Sequence, residues 1–305
     1  MQKLVASWAS PNFKAQETPY LPNDFDQIRP IPVHSHNDYW RRIPLYEALA
    51  AGCTGVEADV WLTNNDLLVG HTKNSLSPAR SLKTMYIDPL LTILTHQNPR
   101  SPLLNSSYPS LNSTNSPPKT GIFTSSPTTP LTLLIDIKSN GTTTLPLVLQ
   151  HLQPLRSQGF LTHFDGKTVI PGPITVVGTG NTPFSLLTQN TTYRDIFFDA
   201  PLEQFSTPIS PTNTSIYDST NSYYASTSFA KTVGRVGKGG VLSEAQLGVI
   251  RGQIRGARER GLRSRYWDTP GRKGGRRDYV WDLLVREGVG VLNVDDVEAA
   301  GRREW

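Results

Sequence analysis

The chain of 305 residues is 37% hydrophobic and 18% charged, with a net charge of +5 at pH 7, and its apolar content suffices for a buried core. That length accommodates one β/α barrel, for which about 250 residues are typical. A single cysteine, Cys53, excludes an intrachain disulfide, and no apolar run is long enough to cross a bilayer.

Residues 1–29, with Pro11, Pro19 and Pro22 and no sustained periodicity, read as an irregular lead-in to one domain over 30–305. They contain no apolar stretch resembling a secretion signal. Five Asn-x-Ser/Thr sequons, at Asn105, Asn112, Asn140, Asn190 and Asn213, lean the other way, toward the secretory route or the cell exterior.

The first strand is expected over 31–36. Pro44 then opens a short helix that ends near Gly52. Cys53 lies in an apolar stretch and reads as a buried small hydrophobe. A strand over 55–62 leads through Asn64-Asn65-Asp66 to a short strand at 67–71. A helix over 89–96 precedes residues 98–130, whose Ser, Thr, Asn and Pro content predicts a long loop burying little apolar surface.

Residues 131–138 form an apolar run of the kind a parallel sheet buries on both faces. A helix near 145–158 and strands at 174–178 and 195–199 follow. A second polar loop spans 203–222, ahead of a strand at 223–229. Ser243 and Gln246 have the spacing of a capping box for a helix over 244–260. A strand at 262–267, a helix at 278–287 and a strand at 289–294 complete the pattern.

This alternation through about eight strands predicts an α/β fold, a TIM-type (β/α)8 barrel. The loop 98–130 joins a helix to a strand. It would therefore lie opposite the strand C-terminal ends where such barrels hold their sites.

Strand side chains two apart share a face. Glu57 and Asp59 have that spacing, and so do Asp136 and Lys138, each pair within an otherwise apolar strand. Carboxylates pointing into a barrel are costly unless a cation or base compensates them. Glu57, Asp59 and Asp136 together make an oxygen-rich site suited to Mg2+, with Ca2+ as the alternative.

His34 ends the first strand and His71 follows the short third one. Two imidazoles beside a metal supply a general base and a general acid for phosphodiester cleavage, with Lys138 neutralising phosphoryl oxygens. His36 shares a face with His34 and competes for its role, with His34 preferred. Among the other strand ends, Asn181, Trp267 and Asp295 are candidates for substrate contact. Thr179, Asp199, Asp268 and Asn293 lie at similar positions.

The motifs His34-Ser-His-Asn-Asp-Tyr, Gly55-Val-Glu-Ala-Asp-Val, Val69-Gly-His71 and Leu134-Ile-Asp-Ile-Lys138 resemble the glycerophosphodiester phosphodiesterase superfamily. The Asp136 position together with Trp267 is nearer its sphingomyelinase D branch. HSHNDYWRR, GCTGVEADVWL and RYWDTP look like the fungal "altered inheritance of mitochondria protein 6" family.

The resemblance implies metal ligation by Glu57, Asp59 and Asp136, acid/base roles for His34 and His71, and a phosphate contact at Lys138. It further implies attack by a neighbouring hydroxyl, giving a cyclic phosphate. Ser35 and Thr72 replace an arginine and an aspartate usual in the superfamily.

The expected substrate is a phospholipid-like or glycerophosphodiester molecule. The basic stretch from Arg235 to Arg277 suggests peripheral contact with anionic membranes. No nucleic-acid module surrounds those residues. A catalytically weak, phospholipid-binding barrel is the alternative function. A glycosidase using Glu57 and Asp59 fits less well, because same-face strand neighbours leave no room for a sugar between them.

Overall fold

In the computed structural model the described residues are 27–99, 118–206, 215–237, 240–271 and 274–305. The strands are β1 (Ile31–Ser35), β2 (Cys53–Thr63), β3 (Asp66–Val69), β4 (Leu131–Ile137), β5 (His163–Phe164), β6 (Val169–Ile170), β7 (Ile174–Gly180), β8 (Ile196–Pro201), β9 (Ser222–Ser228), β10 (Arg263–Trp267) and β11 (Leu292–Val294). Eight of them run parallel in the order β10-β9-β8-β7-β4-β2-β1-β11. A parallel bridge between Arg265 and Val291 joins the two ends, so the staves form the barrel that strand and helix alternation predicts.

β3 is not a stave. It pairs antiparallel with β2, Val60 opposite Val69 and Thr63 opposite Asp66. Asn64 and Asn65 make the turn with φ of 49° and 62°. Two successive left-handed residues fit the right-handed twist of a tight hairpin, and asparagine tolerates that conformation. The hairpin carries the chain beyond the barrel mouth and returns it at Gly70 and His71.

Period-two alternation produces two cores. Val56, Ala58 and Val60 on β2, and Leu133 and Ile135 on β4, face the surrounding helices in the main core. Leu134, Val177 and Tyr224 from three staves, with Val291 just before β11, fill the barrel interior. Fully burying a side chain of this size contributes roughly 1.5–3 kcal/mol. This inner plug forms the floor beneath the polar residues at the C-terminal ends of the staves.

Local features depart from expectation in identifiable ways. The helix expected near 145–158 starts earlier, as Gly141–His151, because the Asn140 side chain caps it by accepting from the Thr143 amide at 3.2 Å. A separate turn of helix, Gln153–Ser157, follows with Pro154 in its first turn. The β5–β6 hairpin has no counterpart in the expected pattern.

The polar stretch 98–130 buries more than its composition suggests. Ile122 and Phe123 are fully buried, and Asn98 and Gln97 donate to the carbonyls of Thr120 and Ile122. Part of the 203–222 loop is also ordered, as the 3-10 turn Leu202–Phe205 with Leu202 and Phe205 in the core. The lead-in before residue 27, the rest of these loops at 100–117 and 207–214, and the sequons at Asn105, Asn112 and Asn213 lie outside the described residues. Cys53 is buried, as expected.

Candidate active site

Strand register brings the acids together. On β2 and β4, Asp59 stands opposite Asp136, and Glu57 opposite Leu134. Oxygens of Glu57, Asp59 and Asp136 lie within 4.8 Å of one another. The Oδ1 atoms of Asp59 and Asp136 are buried without a hydrogen-bond partner. Buried carboxylate oxygens left in that state are costly, and a hard cation would satisfy both.

Counter-charge comes from two sides. Lys138 Nζ lies 2.6 Å from Asp136 Oδ2 and 3.2 Å from Asp59 Oδ2. On the far wall, Arg265 Nη2 donates to Glu57 Oε2 at 3.0 Å, both side chains being buried. Three carboxylates against two cations leave a net negative cluster, which matches the orphaned oxygens. The donor set therefore fits a divalent cation.

These contacts shape the ionisation. Burial alone would raise Glu57, but Arg265 and the neighbouring His34 outweigh it and hold the carboxyl far below its usual range. Burial and the Glu57 charge push Asp59 up, with Lys138 opposing them. Burial also raises Asp136 against the pull of Lys138. The Lys138 ammonium is stabilised upward by Asp136 and Asp59 despite its own burial.

Glu57 and Asp136 line a cavity of about 580 Å³, with Asp59 buried behind its wall. Its wall includes His36, Asn37 and His71 from the β1 and β3 ends, and Trp267, Asn293 and Asp295 from the β10 and β11 ends. His36 Nδ1 lies 2.8 Å from Asp295 Oδ1, a pairing that lowers the Asp295 pKa against the effect of burial. His71 Nδ1 lies 3.1 Å from the Tyr39 hydroxyl and 3.5 Å from Asp59 Oδ2. Each imidazole thus has Nδ1 engaged, and His36 Nε2 lies 3.5 Å from Asn37 Nδ2 and 3.9 Å from Glu57 Oε2.

His34 is placed elsewhere. It is fully buried and does not line the cavity; its Nε2 lies 3.7 Å behind Glu57 Oε2. Burial and Arg265 lower its pKa to about 4, so the imidazole is neutral at neutral pH. Lys138, Trp267 and Asp295 do reach the cavity. Asn181 does not. Its Nδ2 donates to the carbonyls of Lys138 and Ser139 at the edge of an adjacent depression.

Asp199 is buried below the cavity, with burial raising its pKa to about 6 despite Arg265 at 4.0 Å. Thr179 and Asn293 line the wall, and Asp268 accepts from the Ser228 hydroxyl at 2.9 Å.

Three participants were not singled out in the sequence. Arg265 shares the inward face of β10 with Trp267, two residues away, so strand alternation alone would have located it. Tyr39 places its hydroxyl 2.7 Å from Asp59 Oδ2 and 2.5 Å from Asn37 Oδ1. Asn37 adopts φ 47° immediately past β1, and its amide N–H donates to Glu57 Oε2 at 3.3 Å.

Residues 23–199 match the AIM6-like phosphodiesterase domain. An "altered inheritance of mitochondria protein 6" homolog from Arthroderma benhamiae is 41% identical over 285 residues, covering 90% of this chain and 83% of that protein. The protein of that name from Eremothecium gossypii is 37% identical over 285 residues, 88% of this chain and 68% of its own. The Saccharomyces cerevisiae protein is 31% identical over 293 residues, with 88% and 70% covered. With a family domain over more than half its length and relatives aligned along most of it, the chain belongs to the AIM6-like phosphodiesterase family.

Proposed function

We propose that the protein is a metal-dependent phosphodiesterase acting on phospholipid-like or glycerophosphodiester substrates, with His36 and His71 as its acid/base pair. The observation that carries this reading is the conjunction in one cavity of two Nδ1-anchored imidazoles with a carboxylate triad bearing partnerless oxygens. Glu57, Asp59 and Asp136 would hold Mg2+ or Ca2+. When bound, such a cation neutralises the non-bridging phosphoryl oxygens.

The chain's own residues supply the rest. One imidazole takes the proton of the attacking hydroxyl and the other protonates the leaving oxygen. A neighbouring hydroxyl of the substrate as nucleophile gives a cyclic phosphate. Lys138, held between Asp59 and Asp136, is within the same wall to meet a phosphoryl oxygen.

The role expected of His34 passes to His36, because a fully buried side chain cannot reach a substrate in the cavity. His34 instead backs Glu57 as a neutral neighbour. At the rim, Trp267 is 36% exposed, and Trp40, 60% exposed, packs 4.8 Å from the His71 ring. Such aromatic side chains suit a substrate presented at a lipid–water interface.

Phosphorus NMR of lysophosphatidylcholine, sphingomyelin and glycerophosphocholine, each incubated with the protein in Mg2+ or in chelator, tests the reading. A cyclic or monoester phosphate is expected to form in Mg2+ only. Turnover that persists unchanged in chelator would overturn the metal dependence. Lipid binding without any turnover would instead support a binding barrel.

A further inference from the structure

A second depression, of about 540 Å³, lies beside the catalytic cavity on the same barrel face. Trp61 near the end of β2, Lys73 in the turn after β3, residues 138–141 after β4 and Asn181 after β7 line it. Lys138 belongs to the walls of both cavities. A diester cleaved against Lys138 therefore has one arm able to extend into this second space.

The lining chemistry differs from that of the catalytic cavity. Glu57, Asp136 and Asp295 line the first; the second has no acid in its wall. Lys138 is already neutralised by Asp136 and Asp59. Lys73 has no carboxylate partner among the described residues, and its Nζ sits 5.7 Å over the Trp61 ring. The indole is itself fixed, donating from Nε1 to the Gly70 carbonyl at 2.7 Å. A rigid aromatic plate beneath an uncompensated ammonium suits a polyol face bearing negative charge.

The opposite wall is closely packed. A Cβ added at Gly141 would meet the Asn181 carbonyl oxygen at 1.8 Å, so the β4 and β7 connections touch backbone to backbone. The Asn181 amide donates to the Lys138 and Ser139 carbonyls, and Asn140 Oδ1 accepts from Thr142 and Thr143. These bonds hold the wall in shape.

We propose that this depression is a subsite for an anionic arm of the substrate, a polyol carrying a phosphomonoester, with Lys73 as its charge contact. The proposal rests on the phosphodiesterase reading of the neighbouring cavity.

Glycerophosphoinositol and glycerophosphoinositol 4-phosphate, compared as substrates of the wild type and Lys73→Gln, test it. One charge-assisted contact is worth about tenfold. The wild type is therefore expected to favour the phosphorylated diester by about tenfold in kcat/KM, through KM. Lys73→Gln is expected to erase that preference while turning over glycerophosphoinositol within about twofold of wild type. Equal use of both diesters by the wild type, or a preference that survives in Lys73→Gln, would overturn the proposal.

Calorimetric titration with sn-glycerol 3-phosphate in chelator reads the subsite without turnover. Binding to the wild type that weakens at least about fivefold in Lys73→Gln is expected. Absent binding, or equal binding by both proteins, would overturn the subsite, whereas loss of turnover with binding intact would fault only the catalytic reading.

Discussion

At the scale of single residues, the site concentrates groups that stability alone would not select. Asp199 illustrates the cost. Its burial lifts the pKa from 3.8 to about 6, even with Arg265 nearby. A carboxyl raised in the folded state favours the fold while protonated, and the benefit is lost as pH rises through about 6. The roughly two-unit shift corresponds to about 3 kcal/mol. Asp199→Asn is therefore expected to be more stable than wild type at pH 8, by up to about 3 kcal/mol, and equal to it near pH 4. Denaturant unfolding at the two pH values checks this; identical stability at pH 8 would contradict it.

His34 in β1 and His36 just past it show what residue-level reading can resolve. Alternation places His34 and His36 on one face but does not say how deep each lies. A strand rises about 3.3 Å per residue, so two residues separate them by about 6.6 Å along the strand direction. β1 ends at Ser35, which leaves His36 at the mouth and His34 inside. Arg265 was obscured differently. It sits in a basic stretch that resembles a solvated surface, while its partner Glu57 lies 208 residues away in sequence.

Among the elements, those with strong periodicity were legible from sequence. The paired acids of β2 and β4 follow directly from the two-residue repeat, and the Ser243–Gln246 capping box opens the helix Glu244–Glu259 as expected. Composition misled where a few apolar residues inside polar sequence find the core, as Ile122 and Phe123 do. It also gave no warning that β3 would fold back on β2, because pairing partner and direction depend on the turn.

The end of β7 carries a further dependence that sequence spacing does not reveal. Gly180 has φ +64°, and a Cβ there would fall 2.0 Å from Asp136 Oδ1, one of the partnerless oxygens. Glycine is needed both for the backbone conformation and for space beside the carboxylate. Gly180→Ala is expected to lose about 1–3 kcal/mol of stability. It is also expected to weaken Mg2+ binding by about tenfold or more, because Asp136 must move. Thermal unfolding with and without Mg2+ measures both. A Mg2+-induced stabilisation equal to that of wild type would contradict the placement of Asp136.

For the whole molecule, barrel closure brings distant sequence together: Glu57 from β2, Asp136 from β4, Arg265 from β10, and His36 and Asp295 just past β1 and β11. Closure also redistributes the charge of the 235–277 stretch. Arg265 turns inward to Glu57, Arg251 pairs with Glu287, and Arg277 with Asp278 and Asp296. Arg255 lies 3.9 Å from Glu259, so part of that basic character is matched within the fold.

The proposed chemistry centres on the pair of anchored imidazoles facing the carboxylate triad. Its most direct test is phosphodiester turnover by His36→Ala in saturating Mg2+, using whichever diester the wild type cleaves. A positioned acid or base contributes about 10²–10⁴-fold, so a loss of that size is expected, with the melting temperature unchanged. Turnover by His36→Ala within a few-fold of wild type would contradict the assignment of His36 and the mechanism built on it.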